Sequence, residues 1–370
     1  MGIAKRGVCV ALGLVLSGAM SSTVVEAQQP WDEDAWDVGA AESRVVEYQG
    51  RPALYMAGGT AWLRDSDFQD GVIEFDLAVS GELGFHGLRF RAVDRANHEH
   101  VYIRPHLSDR ADAVQYNPVY NGTSSWQLYA DARYVLPLSI PGERWMHVRV
   151  GVEGGRMEMA VDGQLLVFPD LVRDVTSGAI GIAASASGAW FANFTVKPGA
   201  DPRFSDESGG DVVPAPEATV TEWRVSDAFP ESEVDGVLDL SESQKSARTW
   251  DVVPVHTRGV ANIATLRPRI DDSNTVFAAI TLRSSEAQTV PVRFGFSDRV
   301  RVFLNGRQVY AGADEFGSRD YRFLGTVGLF DQLFLPLEAG DNEVWLAVSE
   351  TFGGWGMTLQ LPEGQGVEVR

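Results

Sequence analysis

Two short segments concentrate the side chains best suited to chemistry: Gly-Leu-Arg-Phe-Arg at Gly87–Arg91 and His-Val-Tyr-Ile-Arg-Pro-His at His100–His106. Between them lies Asp94-Arg-Ala-Asn97, a run of turn-forming residues, so the two segments read as a hairpin. Pairing centred on that turn sets Arg91 opposite His100 and Arg89 opposite Tyr102. Side chains alternate across a strand, so Leu88, Phe90, Val101 and Ile103 share one face. The other face carries Arg89, Arg91, His100, Tyr102, Arg104 and His106. A solvated strand face usually holds Thr, Ser, Lys and Glu. Guanidinium forks beside aromatic rings instead suit a hydroxyl-rich or anionic ligand. The competing expectation is that these arginines are neutralised locally, with Glu74 and Asp76 as candidate partners.

The following stretch extends the constellation. Gln115, Asn117, Asn121, Trp126, Gln127 and Tyr129 bring amides and rings together within fifteen residues. Amides pair donor and acceptor with hydroxyls, and rings offer a flat surface to a sugar. The plainer alternative makes Trp126 a core residue and reads Asn117-Pro118 and Asn121-Gly122 as turns.

The elements that must position these groups are strands. Helix-period patterns are almost absent, glycine is abundant, and short alternating runs recur between turn residues. The expected strands are Gly71–Val79, Leu83–Val93, Glu99–His106, Trp126–Ala130, Trp145–Glu153, Arg156–Leu166, Ala179–Ala184 and Trp190–Lys197. Pattern then stops from Lys197 to Thr219, where four prolines and a Gly-Gly pair argue for a linker. It resumes with Thr275–Leu282, Val290–Phe296, Arg299–Leu304, Arg307–Ala311, Gln332–Pro336, Glu343–Ser349 and Met357–Leu361. The turn Asn305-Gly306 marks a hairpin between two of these. The fold class is therefore all-β, two β-sandwich domains of the jelly-roll kind, at residues 30–197 and 220–370, joined by a Pro/Gly/acidic linker at 198–219.

Residues 1–27 have the basic start, apolar run and small-residue cleavage site of a secretory signal. The expected location is thus outside the cytoplasm, periplasmic or extracellular, after its removal. Cys9, the single cysteine, would leave with the signal, so disulfides and thiolate chemistry are not expected in the mature chain. The formal net charge of -20 disfavours nucleic acid and anionic membranes as partners, and no segment is expected to insert in a membrane.

With these residues in hand, the stretch from Pro30 to Lys197 resembles the concanavalin A-like and laminin G-like lectin and glucanase sandwich. Asp70-Gly-Val-Ile-Glu-Phe-Asp-Leu, Gly87–Arg91 with Val101–Arg104, Gly178-Ala-Ile-Gly-Ile and Trp190–Val196 carry the resemblance. Residues Trp250 to Leu361 resemble galactose-binding-like jelly rolls, through Ser297–Gly306 and Leu337–Val348. In such modules ligands sit in loops, and Thr351–Gly356, with Phe352 and Trp355, is the best loop candidate.

The glucanase resemblance implies a strand motif of three acids. Here Glu74 and Asp76 begin it, but Ala78 and Val79 stand where the acid/base belongs. Retaining hydrolysis needs two carboxyls about 5–5.5 Å apart, so no catalytic residue is assigned. His98 and His100, with His106 or His86, could hold a metal, but solvated or arginine-adjacent histidines are the plainer reading, and no metal or other cofactor is expected. The reading is a secreted protein that binds a polysaccharide or oligosaccharide without catalysis. Its alternatives are a carbohydrate-active enzyme using Glu74 and Asp76, or an extracellular structural or adhesion protein with other extracellular proteins as partners.

Overall fold

The computed structural model describes residues 31–256, 258–270, 272–320 and 324–370. The signal-like segment and Cys9 lie outside the described residues. The chain opens with β1 (Trp36–Tyr48) and β2 (Arg51–Leu63), paired antiparallel across Gln49-Gly50. Both turn residues have positive φ, 45° and 75°, which suits the twist of a two-residue hairpin. This hairpin was not among the expected strands. Most β1 side chains are at least partly exposed, so its sequence lacks the alternation that marks a half-buried strand.

β3 (Gly71–Val79) follows the expected alternation. Ile73, Phe75 and Leu77 are buried in the core, while Glu74 and Asp76 point the other way. β3 pairs with the strand Met146–Glu153 on one side and Ala189–Pro198 on the other. The ladder continues through β2 and Ala179–Ala184 to β4 (His86–Asp94), β5 (Asn97–Ile103) and β6 (Val114–Tyr116). Leu88, Phe90, Val101 and Ile103, from the far part of the ladder, share one apolar cluster with Ile73, Phe75 and Leu77. The sheet therefore folds back over a single core. Each buried aromatic in it contributes roughly 1.5–3 kcal/mol by leaving water.

Two expected strands are corrected. Arg156–Leu166 is split at Asp162-Gly163 into Arg156–Val161 and Gln164–Phe168. Trp126–Ala130 is no strand: it lies in a turn-rich loop, where Gln127 N donates to Gly353 O of the C-terminal half and Leu128 N turns back to Ser125 O.

In the C-terminal half, one sheet contains Ser273–Ser284, Gly340–Ser349 and Arg299–Leu304, and a second contains Gln288–Ser297, Asp331–Leu337 and Gly356–Gln360. Apolar residues from both sheets, among them Val276, Phe294, Phe296, Leu346 and Met357, form the second core. The Asn305-Gly306 turn joins Arg299–Leu304 to Arg307–Ala313 as expected. The chain is thus all-β with sheets packed as sandwiches, and helix is confined to short turns.

The stretch between the halves does not run free. Pro202 O accepts from Arg149 Nη2 at 2.6 Å, Ser205 donates from its amide and hydroxyl to Glu158, and Glu207 O accepts from Arg156 Nη2 at 2.6 Å. Its lack of apolar pattern is matched by polar tethers to the N-terminal sheet.

Candidate functional site

The hairpin of β4 and β5 carries the site, in a register other than the expected one. Arg89 lies opposite His100 and Gly87 opposite Tyr102, while Asp94 pairs with Asn97 at the turn. A bulge between Phe90 and Asp94 absorbs the difference. At its start Arg91 has φ of 50°, in the left-handed region. Gly87 is required by the close pairing: a Cβ there would lie 2.0 Å from Val101 O.

The bulge also turns Arg91 away from the polar face, which corrects its expected role. Arg91 is 1% exposed, and its guanidinium donates to Gln69 O, Asp70 Oδ1 and Gly154 O at 2.7–2.8 Å. It stitches loops together and does not line the cavity described below.

Arg89, His98, His100, Tyr102, Arg104 and His106 line a cavity of about 720 Å³, within the usual size of ligand pockets. Its mouth is apolar. Leu83, Phe85 and Trp126 from the N-terminal half meet Phe316, Leu324 and Phe352 from the C-terminal half. Trp126, half-buried, has its ring centroid 6.3 Å from Phe316 and 6.0 Å from Phe352, both at steep angles. Phe316 and Phe352 are themselves exposed. The loop Thr351–Gly356 thus serves this shared cavity, while Trp355 is fully buried and donates from Nε1 to Val348 O.

The floor divides into used and unused groups. Arg104 is used: it donates to Asp112 Oδ2 at 2.9 Å and Asp112 O at 3.0 Å, and to Gln115 Oε1. Tyr102 donates its hydroxyl to the same Gln115 oxygen at 3.0 Å, and burial pushes it up to about 12. Gln115 Nε2 donates to Trp126 O and Tyr129 O at 2.9 Å each. Gln115 is therefore a fully satisfied strut that fixes the Trp126 loop, not a ligand contact.

Of three more amides, Asn117 lines the cavity with its side chain already paired, whereas Asn121 and Gln127 are not lining residues. Asn117 donates to Ser124 Oγ at 2.8 Å and accepts from Ser125 N at 2.9 Å, closing the loop beside the cavity. Asn121 donates to Ala264 O at 2.9 Å, and Gln127 donates to Leu324 O at 2.8 Å; both acceptors belong to the C-terminal half. Tyr129 is buried, with its ring edge-on to His256 at 5.2 Å. Amide-rich segments looked like sugar readers in the sequence, but Gln115 and Asn117 brace their own loop and Asn121 and Gln127 bond to the C-terminal half.

Among the described residues, no hydrogen bond or ion pair reaches the Arg89 guanidinium, and its Nε is buried without a partner. Burial pulls its pKa down to about 10, which leaves it charged at neutral pH. His98 is 2% exposed with both ring nitrogens unpartnered, and His100 has an unpartnered Nε2. Burial, then the charge of Arg89, brings His98 down to about 3 and His100 well below its ordinary value. Both rings are neutral, each with one donor and one acceptor. In the sequence His98 is a candidate only for metal ligation. Its i, i+2 spacing with His100 was the signal that it shares their face.

His106 sits on the short turn Pro105–Leu107 at the mouth, where its Nδ1 accepts from Gly84 N at 3.3 Å. His86 points elsewhere, toward Ser187 Oγ. Among the described residues, no group of three or more His, Asp or Glu is arranged to hold a metal.

Glu74 and Asp76 are remote from this floor and do not neutralise its arginines. Glu74 takes Lys197 Nζ at 2.9 Å; Asp76 takes Arg51, Asn193 and His147 Nδ1, the last at 3.0 Å.

No family model and no curated protein matches the chain. Among solved structures, similarity is found to a carbohydrate binding module, CBM66, from Bacillus subtilis, at 18% identity and a TM-score of 0.34, over 44% of this chain and 95% of that one. A Bacillus licheniformis beta-glucanase shares 12% identity at a TM-score of 0.34, over 47% of this chain and 96% of that one. A family 35 carbohydrate binding module from an environmental isolate shares 18% identity at a TM-score of 0.21, over 28% and 75%. Likenesses of this strength assign neither a family nor an activity.

Proposed function

We propose that the chain is an exported carbohydrate-binding protein whose ligand lies in the cavity between the two halves. One observation carries this reading: an exposed aromatic corner of Trp126, Phe316 and Phe352 stands over a floor of buried polar donors. Rings receive the apolar faces of a sugar, and the floor receives its hydroxyls. The signal-like residues 1–27 support export.

Binding is favoured over hydrolysis by the carboxylates. Asp112 is the single carboxylate among the described lining residues, and it is committed to Arg104 at 2.9 Å. The two-carboxyl mechanism of glycoside hydrolysis needs a second one at a set distance.

The test is retention of the signal-free protein on a panel of neutral and acidic polysaccharides, with released sugar assayed in the supernatant. Retention without release, weakened by Trp126→Ala, is the expected result. Release of sugar would make the protein an enzyme, and retention on no polymer would overturn the reading.

A further inference from the structure

Arginines in this chain are paired almost wherever they are buried. Arg91 has Asp70, Arg104 has Asp112, Arg133 has Asp170, and Arg248 has Asp227 and Glu233. The sequence offers 51 acidic residues against 31 basic ones, so a shortage of carboxylates explains no unpaired guanidinium. Arg89 nevertheless has no anionic partner among the described residues, and it lines the 720 Å³ cavity. Arg89 is half-buried with its Nε fully enclosed, and a cation withdrawn from water without a counter-charge costs free energy in the empty protein. That cost is recovered when a ligand supplies the charge.

We infer that the cavity is built for an acidic sugar, and that Arg89 receives its oxyanion group, a carboxylate or a sulfate ester. This rests on the carbohydrate-binding reading above and narrows it to a substrate class. A guanidinium fork matches such a group with two parallel hydrogen bonds. His98 and His100 stand beside Arg89 on β5, neutral and with unpartnered nitrogens, so they add donors without adding repulsion. The collar of Leu83, Phe85, Phe316, Leu324 and Phe352 limits water around the pair and strengthens it. Arg104 cannot take this role, since Asp112 and Gln115 already occupy it. Of the other lining arginines, Arg104 is paired with Asp112 and Arg95 with Asp37, which lies outside the lining. Arg89 is thus the lining arginine without a carboxylate partner among the described residues, and it biases the floor toward an anionic ligand.

The experiment is calorimetric titration of the signal-free protein with galacturonate and glucuronate oligomers, their carboxyl-reduced neutral counterparts, and sulfated oligosaccharides of equal length. At least one charged series is expected to bind about tenfold more tightly than its neutral counterpart, a difference of 1.4 kcal/mol, and to weaken with added salt. A carboxylate preference and a sulfate preference would assign the group to one source or the other. Arg89→Gln is expected to abolish the preference, and Arg89→Lys, which keeps the charge but not the fork, to retain part of it. Melting curves of both variants establish that they fold. Neutral oligomers binding as tightly as charged ones, or a preference that survives Arg89→Gln, would overturn the oxyanion site while leaving sugar binding intact. No binding by any series would overturn both.

Discussion

Ser297 Oγ donates a 2.9 Å hydrogen bond to Gln127 Oε1, so the loop that carries Trp126 is gripped by a strand end of the other half. Gln127 is wholly buried, and its amide and carbonyl also pair with Gly353 O and Val327 N. The tightness is visible at Gly353, where a Cβ would lie 2.2 Å from Gln127 Oε1. The cavity wall and the contact between the halves are thus one structure. Gln127→Ala removes two side-chain bonds and takes the amide donor from Leu324 O, while Ser297 Oγ keeps Asp298 Oδ1 at 3.2 Å. It should cost about 2–4 kcal/mol of stability and reduce ligand affinity together with it, read by thermal melting and titration. A variant that loses stability while binding at full strength would separate wall from interface.

Trp126 and Phe352 give a cleaner test of the collar. Trp126 is half-buried and Phe352 is 59% exposed, so neither supports a core. Trp126→Ala and Phe352→Ala should each lower affinity for a sugar by about tenfold, near 1.4 kcal/mol, with little change in melting temperature. Unchanged affinity in both would remove the aromatic corner from the binding surface.

Arg89 and Arg104 are two residues of one floor with opposite expected effects on stability. Removing Arg104 leaves Asp112 without its donor and the Gln115 oxygen with Tyr102 alone, so Arg104→Gln should destabilise by about 1–3 kcal/mol. Arg89 gives up no bond, so Arg89→Gln should leave the melting temperature unchanged or raise it. Paired denaturant titrations decide this, and a large loss at Arg89 would reveal a partner role in the empty fold.

The pH dependence has two limbs. His86, at about 4, and His98, at about 3, are held below the ordinary 6.5, chiefly by burial. Below pH 6.5 the unfolded chain takes up protons that these folded rings refuse. Their contribution is therefore full above 6.5 and falls as the pH drops toward 4. Glu99, raised to about 7, and Glu350, raised to about 8, are also shifted first by burial, but the other way. Their contribution is full below 4.5 and is lost as the pH rises through 7 and 8. His98→Gln should flatten the acid limb. Glu350→Gln should raise the melting temperature at pH 8 and leave it nearly unchanged at pH 4.5. The Gln keeps the acceptor for Gly354 N, so the comparison isolates the charge.

What the sequence by itself determined was the architecture and one face. Period-two alternation in Gly71–Val79 and along Gly87–Arg89 with His100–Tyr102 is a local property, because successive side chains must point to opposite sides. It placed Leu88, Phe90, Val101 and Ile103 in the core and Arg89, His100 and Tyr102 on the polar side. Asn305-Gly306 likewise announced its own turn, since both residues tolerate the positive φ of 49° and 85° that it needs. Tertiary structure decided the rest. A bulge is set by packing rather than pattern, and it sent Arg91 inward while bringing Arg89 opposite His100. Whether an amide is free or spent depends on residues distant in the chain: Gln127 meets Leu324 and Ser297, and Asn121 meets Ala264. The collar itself joins Trp126 to Phe316 and Phe352, and no short-range signal can state a neighbourhood that exists only once the two halves have docked.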